Sequence, residues 1–168
     1  MRFSYLLIIF NFVFMSCSSD HPKTWEQIKL AGFAYPSDSI VSDSLTASVK
    51  EKRLINAAYK NYAYRKHCPN LIIAEVNLND SFVASIYQED QLLLSKLLTY
   101  HLKQYGITHF TGQSLSDTSL FLFFYTEKLN NPNGIMQSFY IPCKSTFKQD
   151  PDWVFTKNKT GKSGSLGY

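Results

Sequence analysis

The residue types able to do chemistry in this chain are few and widely spaced. Cysteines stand at 17, 68 and 143, and His67, His101 and His109 are the histidines that could join the last two around a metal. Zinc sites repeat their ligands at short intervals, as in CxxC or HxxxH. Neither spacing occurs, so the expectation is no metal and no cofactor. Cys68 beside His67 has the composition of a thiol and its base, but neighbours in a chain seldom face one another. The carboxylates Glu75, Asp80, Glu89, Asp90, Asp117 and Glu127 show no pairing along the sequence. HExxH, GxSxG and the dinucleotide glycine pattern are absent. The stretch TGKSG at 160–164 resembles part of a phosphate-binding loop, but Thr156 occupies the place of that loop's first glycine and no helix signal follows. Catalytic residues converge in space and not in sequence, so a hydrolase with a spatially assembled site remains an alternative. The primary expectation is a protein that is not an enzyme.

Composition narrows the class. The chain has 168 residues, 45% hydrophobic and 15% aromatic, with a formal net charge of +4. This is enough apolar material for one domain with a core. The charge is far below the basic footprint of a nucleic-acid binder, so no nucleic-acid partner is expected.

The first seventeen residues carry the clearest message. Arg2 supplies a positive start, Leu6 to Met15 form an apolar run broken only by Asn11, and Ser16-Cys17 follow. A run of about 10 residues is too short to cross a bilayer, which needs about 20. It fits the apolar region of a secretory signal peptide. The stretch Phe14-Met15-Ser16-Cys17 resembles the lipobox of bacterial lipoproteins. It departs from the usual pattern in carrying Phe14 where Leu is common and the large Met15 after it. The resemblance implies cleavage before Cys17 and acylation of that cysteine, hence a membrane partner through lipid. Ser18 in place of Asp implies the periplasmic face of the outer membrane. An exported domain sits where disulfides persist, so Cys68 and Cys143 are expected to pair. The model of chain entropy assigns such a bridge, closing about 76 residues, roughly 4 kcal/mol. Two buried reduced thiols are the alternative.

The expected organisation is a leader at 1–16, a lipidated tether at 17–42, one α+β domain at 43–156 and a flexible tail at 157–168. Trp25, Ile28 and Leu30 suggest a short helix within the tether. A helix over 49–66 is expected from the capping-box spacing of Ser48 and Glu51 and from Leu54, Ile55, Ala58, Tyr59 and Tyr62 on one face. Its other face, with Lys52, Arg53 and Lys60, is the candidate binding surface. Strands are expected at 71–78 and 81–87, the second having a helical alternative. A second helix is expected over 89–105, with Gly106 as its stop and His101 as a half-buried packing residue. Strands follow at 107–110, 118–127 and 134–143, the last two joined through the Asn-Asn-Pro-Asn-Gly turn at 130–134. The run LFLFFY lacks alternation and is expected to be central and buried on both faces. The fold class is therefore α+β, two main helices on a mostly antiparallel sheet of four to five strands. The functional expectation is a small envelope lipoprotein acting by protein binding, as an accessory or assembly subunit. An immunity or inhibitor lipoprotein of the periplasm is the alternative within the same class.

Overall fold

Strand β5 (Ser119–Thr126) is the axis of the structure, a computed structural model that describes residues 24–42 and 52–156. The leader, Cys17, the Ser48–Glu51 capping box and the tail with TGKSG lie outside the described residues. The chain divides into two units, Met1–Phe33 and Ala34–Tyr168. The described part of the first holds helix α1 (Trp25–Leu30), started by a capping box between Thr24 and Gln27, and Trp25 meets Phe33 edge-on at 5.5 Å.

The second unit carries one antiparallel sheet of six strands in the order β1-β2-β4-β5-β3-β6. The strands are β1 (Ile40–Ser42), β2 (Lys52–Asn56), β3 (Asn70–Asn77), β4 (Thr108–Leu115), β5 and β6 (Lys144–Gln149). Three helices accompany them: α2 (Ser81–Glu89), α3 (Leu93–Lys103) and α4 (Pro132–Gln137). From β3 to β6 the chain runs β-α-α-β-β-α-β, and those four strands lie in the order β4-β5-β3-β6. This is the split β-α-β, ferredoxin-like topology, widened at the β4 side by β1 and β2. The class is α+β, with one strand more than the upper expectation. Because β1 belongs to the sheet, the folded part begins ahead of residue 43. None of the helices among the described residues is long and apolar enough to cross a membrane.

Side chains alternate across β5. Leu120, Leu122 and Phe124 point to the helices and share a core with Ile72, Ala74 and Val76 of β3 and with Leu94, Leu98 and Leu102 of α3. Phe123 and Tyr125 point to the other face, and they too are buried. Both faces are covered, which is why LFLFFY shows no alternation.

Four expected elements differ, each for a readable reason. The span 49–66 is not a helix where it is described. It forms β2 and two short 3-10 turns, Ala57–Tyr59 and Arg65–His67. Tyr59 and Tyr62 are core residues as their spacing suggested, but they reach the core from turns. The span 81–87 takes its helical alternative. Asp80 accepts from the amides of Phe82 and Val83 at 2.9 and 3.2 Å, a cap that starts α2. Asp90 accepts from the Leu92 amide at 2.8 Å, and α3 begins one residue further on. The strand expected at 134–143 is not formed: the segment opens within α4 and continues as turns and irregular chain. Asn131 adopts a left-handed conformation, its side chain accepts from the Gly134 amide at 3.2 Å, and Pro132 occupies the first turn. Strand β6 then follows, in a segment assigned no element from sequence.

Strand β4 runs past the expected 107–110, to Leu115, and carries a bulge. Phe110 registers with Phe124 and Gly112 with Phe123, leaving Thr111 as the extra residue. The bulge inverts the alternation: Phe110 faces the helices before it, while Gln113 and Leu115 do so after it. Gly112 has φ +148, and a Cβ there would lie 2.3 Å from the Leu54 carbonyl oxygen and 2.7 Å from the Phe155 ring. Gly112→Ala is expected to cost about 3 kcal/mol, a fall of roughly 10 °C in the melting temperature followed by circular dichroism.

Candidate functional site

The face of the sheet opposite the helices is closed by an aromatic plug built from three segments distant in sequence, around Tyr35, Tyr59–Tyr62 and Trp153–Phe155. His109 of β4 and Tyr125 of β5 are cross-strand neighbours. The Trp153 ring stacks on Tyr125 at 4.3 Å, nearly parallel at 10°. Tyr35, Tyr59, Tyr62 and Trp153 surround the His109 ring at centroid distances of 5.4, 5.1, 4.8 and 5.5 Å. Trp153 sits in the left-handed region at φ 51, a conformation costing roughly 1–2 kcal/mol for a bulky residue. Its indole N–H donates to the carbonyls of Cys68 at 2.9 Å and Arg65 at 3.2 Å, and its stacking adds to the compensation. The turn that delivers it is Asp150-Pro151-Asp152-Trp153, closed by the Trp153 amide donating to the Asp150 carbonyl at 3.2 Å. The Asp150 carboxylate accepts from the Tyr125 hydroxyl and from the Val154 amide. Phe155 stacks on Phe123 at 3.7 Å, and the Arg53 guanidinium lies 4.0 Å over the Phe155 ring while donating to its carbonyl.

This environment decides the chemistry of His109. Burial first, then the positive charge of Lys103, push its pKa down to about 3. It is neutral across the physiological range and acts as a packing group bonded to the Tyr59 hydroxyl at 3.4 Å. Burial likewise raises the phenols of Tyr59, Tyr62 and Tyr125 above their ordinary range.

The other polar centre is Asn56, fully buried at the end of β2. Its carbonyl oxygen accepts from the amides of Ser39 at 3.0 Å and Ala58 at 3.3 Å. Its amide donates to Asp38 at 2.8 Å and to the Phe110 carbonyl at 3.2 Å. One side chain thus ties the 35–40 segment to β4. Between that segment and α3 lies a groove of about 570 Å³. Its walls include Tyr35, Asp38, Tyr59, Lys96, Tyr100 and Lys103. The Lys103 ammonium lies 3.6 Å over the Tyr35 ring, and partial burial lowers its pKa while Asp38 opposes that shift. Lys96 pairs with Asp90 at 2.7 Å. The groove offers aromatic faces, hydroxyls and cations.

The residues singled out from sequence are dispersed. His101 lies on α3, where its Nε2 is 2.8 Å from the Ile135 carbonyl and its ring packs on Phe139 and Tyr105. His109 lies across the sheet from it. His67 ends the second 3-10 turn. Among the described residues, no group of three or more His, Cys, Asp or Glu is placed to hold a metal. Glu75 accepts from Ser119, Asp80 caps α2, Asp90 pairs with Lys96, and Glu127 accepts from the Ile107 amide at 3.0 Å. They occupy separate corners of the fold.

Two expectations about sites are corrected. The Cys68–Cys143 bridge is not formed. Strands β3 and β6 pair antiparallel, Asn70 with Gln149 and Glu75 with Lys144. Cys68 therefore lies beyond one end of the pair and Cys143 beyond the other. Five residue steps separate those ends, roughly 17 Å, where a disulfide tolerates at most about 7 Å between Cα atoms. The basic helix face of Lys52, Arg53 and Lys60 also dissolves. Lys52 and Arg53 are successive residues of a strand and project to opposite faces. Arg53 is committed to Phe155, and Lys60 stands in the turn after Tyr59. Asn56 and Trp153 were missed altogether. Neither belongs to a motif, and the contacts that define them come from segments far away in the chain.

Comparison with protein-family models, with curated proteins and with solved structures finds no match in any of the three. The fold topology alone carries no function, since one architecture serves many.

Two measurements check this description. His109 has a folded pKa of about 3 against 6.5 unfolded, so between those values the unfolded chain binds the extra proton. Stability therefore rises with pH through this window and is lost as pH falls from about 6.5 towards 3, by up to about 1.4 kcal/mol per pH unit. Urea midpoints of the native protein minus those of His109→Phe, taken from pH 7 to pH 4, are expected to show this slope. Burial raises the Cys143 thiol above its ordinary value. Alkylation of the native protein, read at Cys143 by peptide mass, is expected to keep accelerating above pH 9.

Proposed function

We propose that this protein is an envelope lipoprotein held by acyl chains on Cys17, and that its domain works by binding another protein as an accessory or assembly subunit. The observation that carries the reading is the order of Arg2, the apolar run Leu6–Met15 and Ser16-Cys17. Each buried methylene is worth about 0.8 kcal/mol, and two or more chains on one residue tether a domain stably without a spanning helix. Ser18 supports sorting to the periplasmic face of the outer membrane. The binding half of the proposal draws on where the polar chemistry is spent. His109, Asn56, Asp150 and Tyr125 are engaged in holding the fold, while the groove along α3 and the outer strands present cations and aromatic rings to solvent.

Intact-mass measurement of protein purified from a cell envelope tests the anchor. The expected species begins at Cys17 and carries added acyl mass. In fractionation, Cys17→Ser is expected to lose membrane partition and to accumulate with its leader attached. A native terminus with an unmodified leader, or undiminished partition of the variant, overturns the anchor.

A further inference from the structure

Among the described residues strand β6 is an edge of the sheet, pairing with β3 alone. The direction of its backbone groups follows from the register. The Asp150 amide donates to the Pro69 carbonyl at 2.8 Å, and Asp150 with Pro69 continues the pairing of Gln149 with Asn70. In an antiparallel pair, hydrogen-bonded and non-bonded positions alternate. Lys144, Thr146 and Lys148 therefore spend their amides and carbonyls on β3. Ser145, Phe147 and Gln149 turn theirs outward, three residues' worth of main-chain donors and acceptors on an exposed edge.

The side chains at this edge are sorted as well. Lys144 and Lys148 are exposed and share the face that Thr146 occupies between them. Phe147, opposite Ile72, faces the helices. On that helix side a notch of about 190 Å³ opens beside the strand, with Ile72, Leu129, Pro132 and Phe147 as its apolar lining and Lys128 and Lys148 at its rim. Among the described residues, Lys128, Lys144 and Lys148 make no ion pair, and β6 carries no acidic residue.

We propose that the β6 edge accepts an extended acidic segment of a partner protein as a seventh strand. The added strand bonds the outward groups of Ser145, Phe147 and Gln149. Its acidic side chains alternate on the face of Lys144 and Lys148, and an apolar side chain between them enters the notch beside Phe147. Strand addition of this kind takes affinity from the main chain and specificity from pockets for alternate side chains. Charge selects the occupant. A second copy would bring together two edges that each carry Lys144 and Lys148 and no acidic residue within the strand, and in the register centred on Thr146 these lysines stand directly opposite one another, which is destabilising. The same lysines that discourage self-pairing favour an acidic strand. This inference rests on the binding role proposed above and names its site.

The test uses full-length protein in detergent and labelled seven-residue peptides followed by fluorescence anisotropy. The probe is Glu-Val-Glu-Leu-Glu-Val-Glu, and its counterpart carries Lys in place of every Glu. The acidic peptide is expected to bind saturably, with affinity falling as salt rises, and the basic one to bind at least tenfold more weakly. Ser145→Pro removes an outward amide without touching a bond to β3, a substitution that edge strands tolerate. It is expected to weaken the acidic peptide at least tenfold while the circular dichroism spectrum is retained. Lys144→Glu with Lys148→Glu, which leaves the backbone intact, is expected to do the same and serves if the proline variant fails to fold. The proposal is overturned if neither peptide saturates by about 1 mM, if both bind alike, or if the folded variants keep native affinity. Sedimentation showing a dimer that Ser145→Pro dissociates overturns it in favour of a second copy. Acylation of Cys17 plays no part in this assay, so its failure leaves the anchor standing and a failed anchor leaves this result to be read alone.

Discussion

A central strand reading LFLFFY has no polar side to turn to water, and covering it twice is the demand around which the molecule is arranged. Burial of each large apolar side chain contributes about 1.5–3 kcal/mol relative to exposure, so either face left open would forfeit several such contributions. Helices α2, α3 and α4 answer the demand on one side. On the other side the cover is improvised from Tyr59, Tyr62, Trp153 and Phe155, carried by short turns. That cover is aromatic because short turns supply few side chains, and each must seal a large area.

Polar groups pulled into such a cover must find partners there. The Trp153 indole bonds two carbonyls, and the Tyr125 hydroxyl bonds Asp150, which in turn holds the Val154 amide. Asn56 meets four partners at once. These bonds explain why a chain with so few reactive side chains spends several of them inside. His109 is the clearest case: a residue type suited to proton transfer is held neutral by burial and serves as a flat spacer between four rings. The surface keeps lysine and tyrosine side chains and the main-chain groups of the sheet edge. The anchor proposed at Cys17 and the recognition proposed at the sheet edge would form a coherent pairing, since a tethered domain would meet its partners in two dimensions and need only modest contacts to hold them.

From sequence alone, several features were legible because their cause is local. The apolar run before Cys17 depends on composition over a dozen residues. Strand β3, strand β5 and helix α3 follow from β-branched enrichment, a continuous apolar run and a 3.6-residue period. Helix α2 was half legible, its Asp80 cap plain once the segment is taken as helical. The burial of Tyr59 and Tyr62 was also readable, although the helix assigned to them was not there.

What only the tertiary structure decided involves contacts between distant parts of the chain. Leu54 and Ile55 obey a helical period as well as a strand, and pairing of Arg53 with Ser114 and Leu54 with Gln113 settles the choice. The bulge at Thr111 breaks the alternation that would have marked β4, and beside it the Leu54 backbone and the Phe155 ring leave no room for a Cβ at Gly112. The distance between Cys68 and Cys143 is set by the length of β3, which no count of cysteines contains. The plug around His109 joins residues from 35 to 153, and the outward face of β6 exists because β3 is flanked by β5 on its other side. Local sequence carries propensity and period, whereas register, parity and the sharing of a face are properties of strands that meet only when the chain has folded.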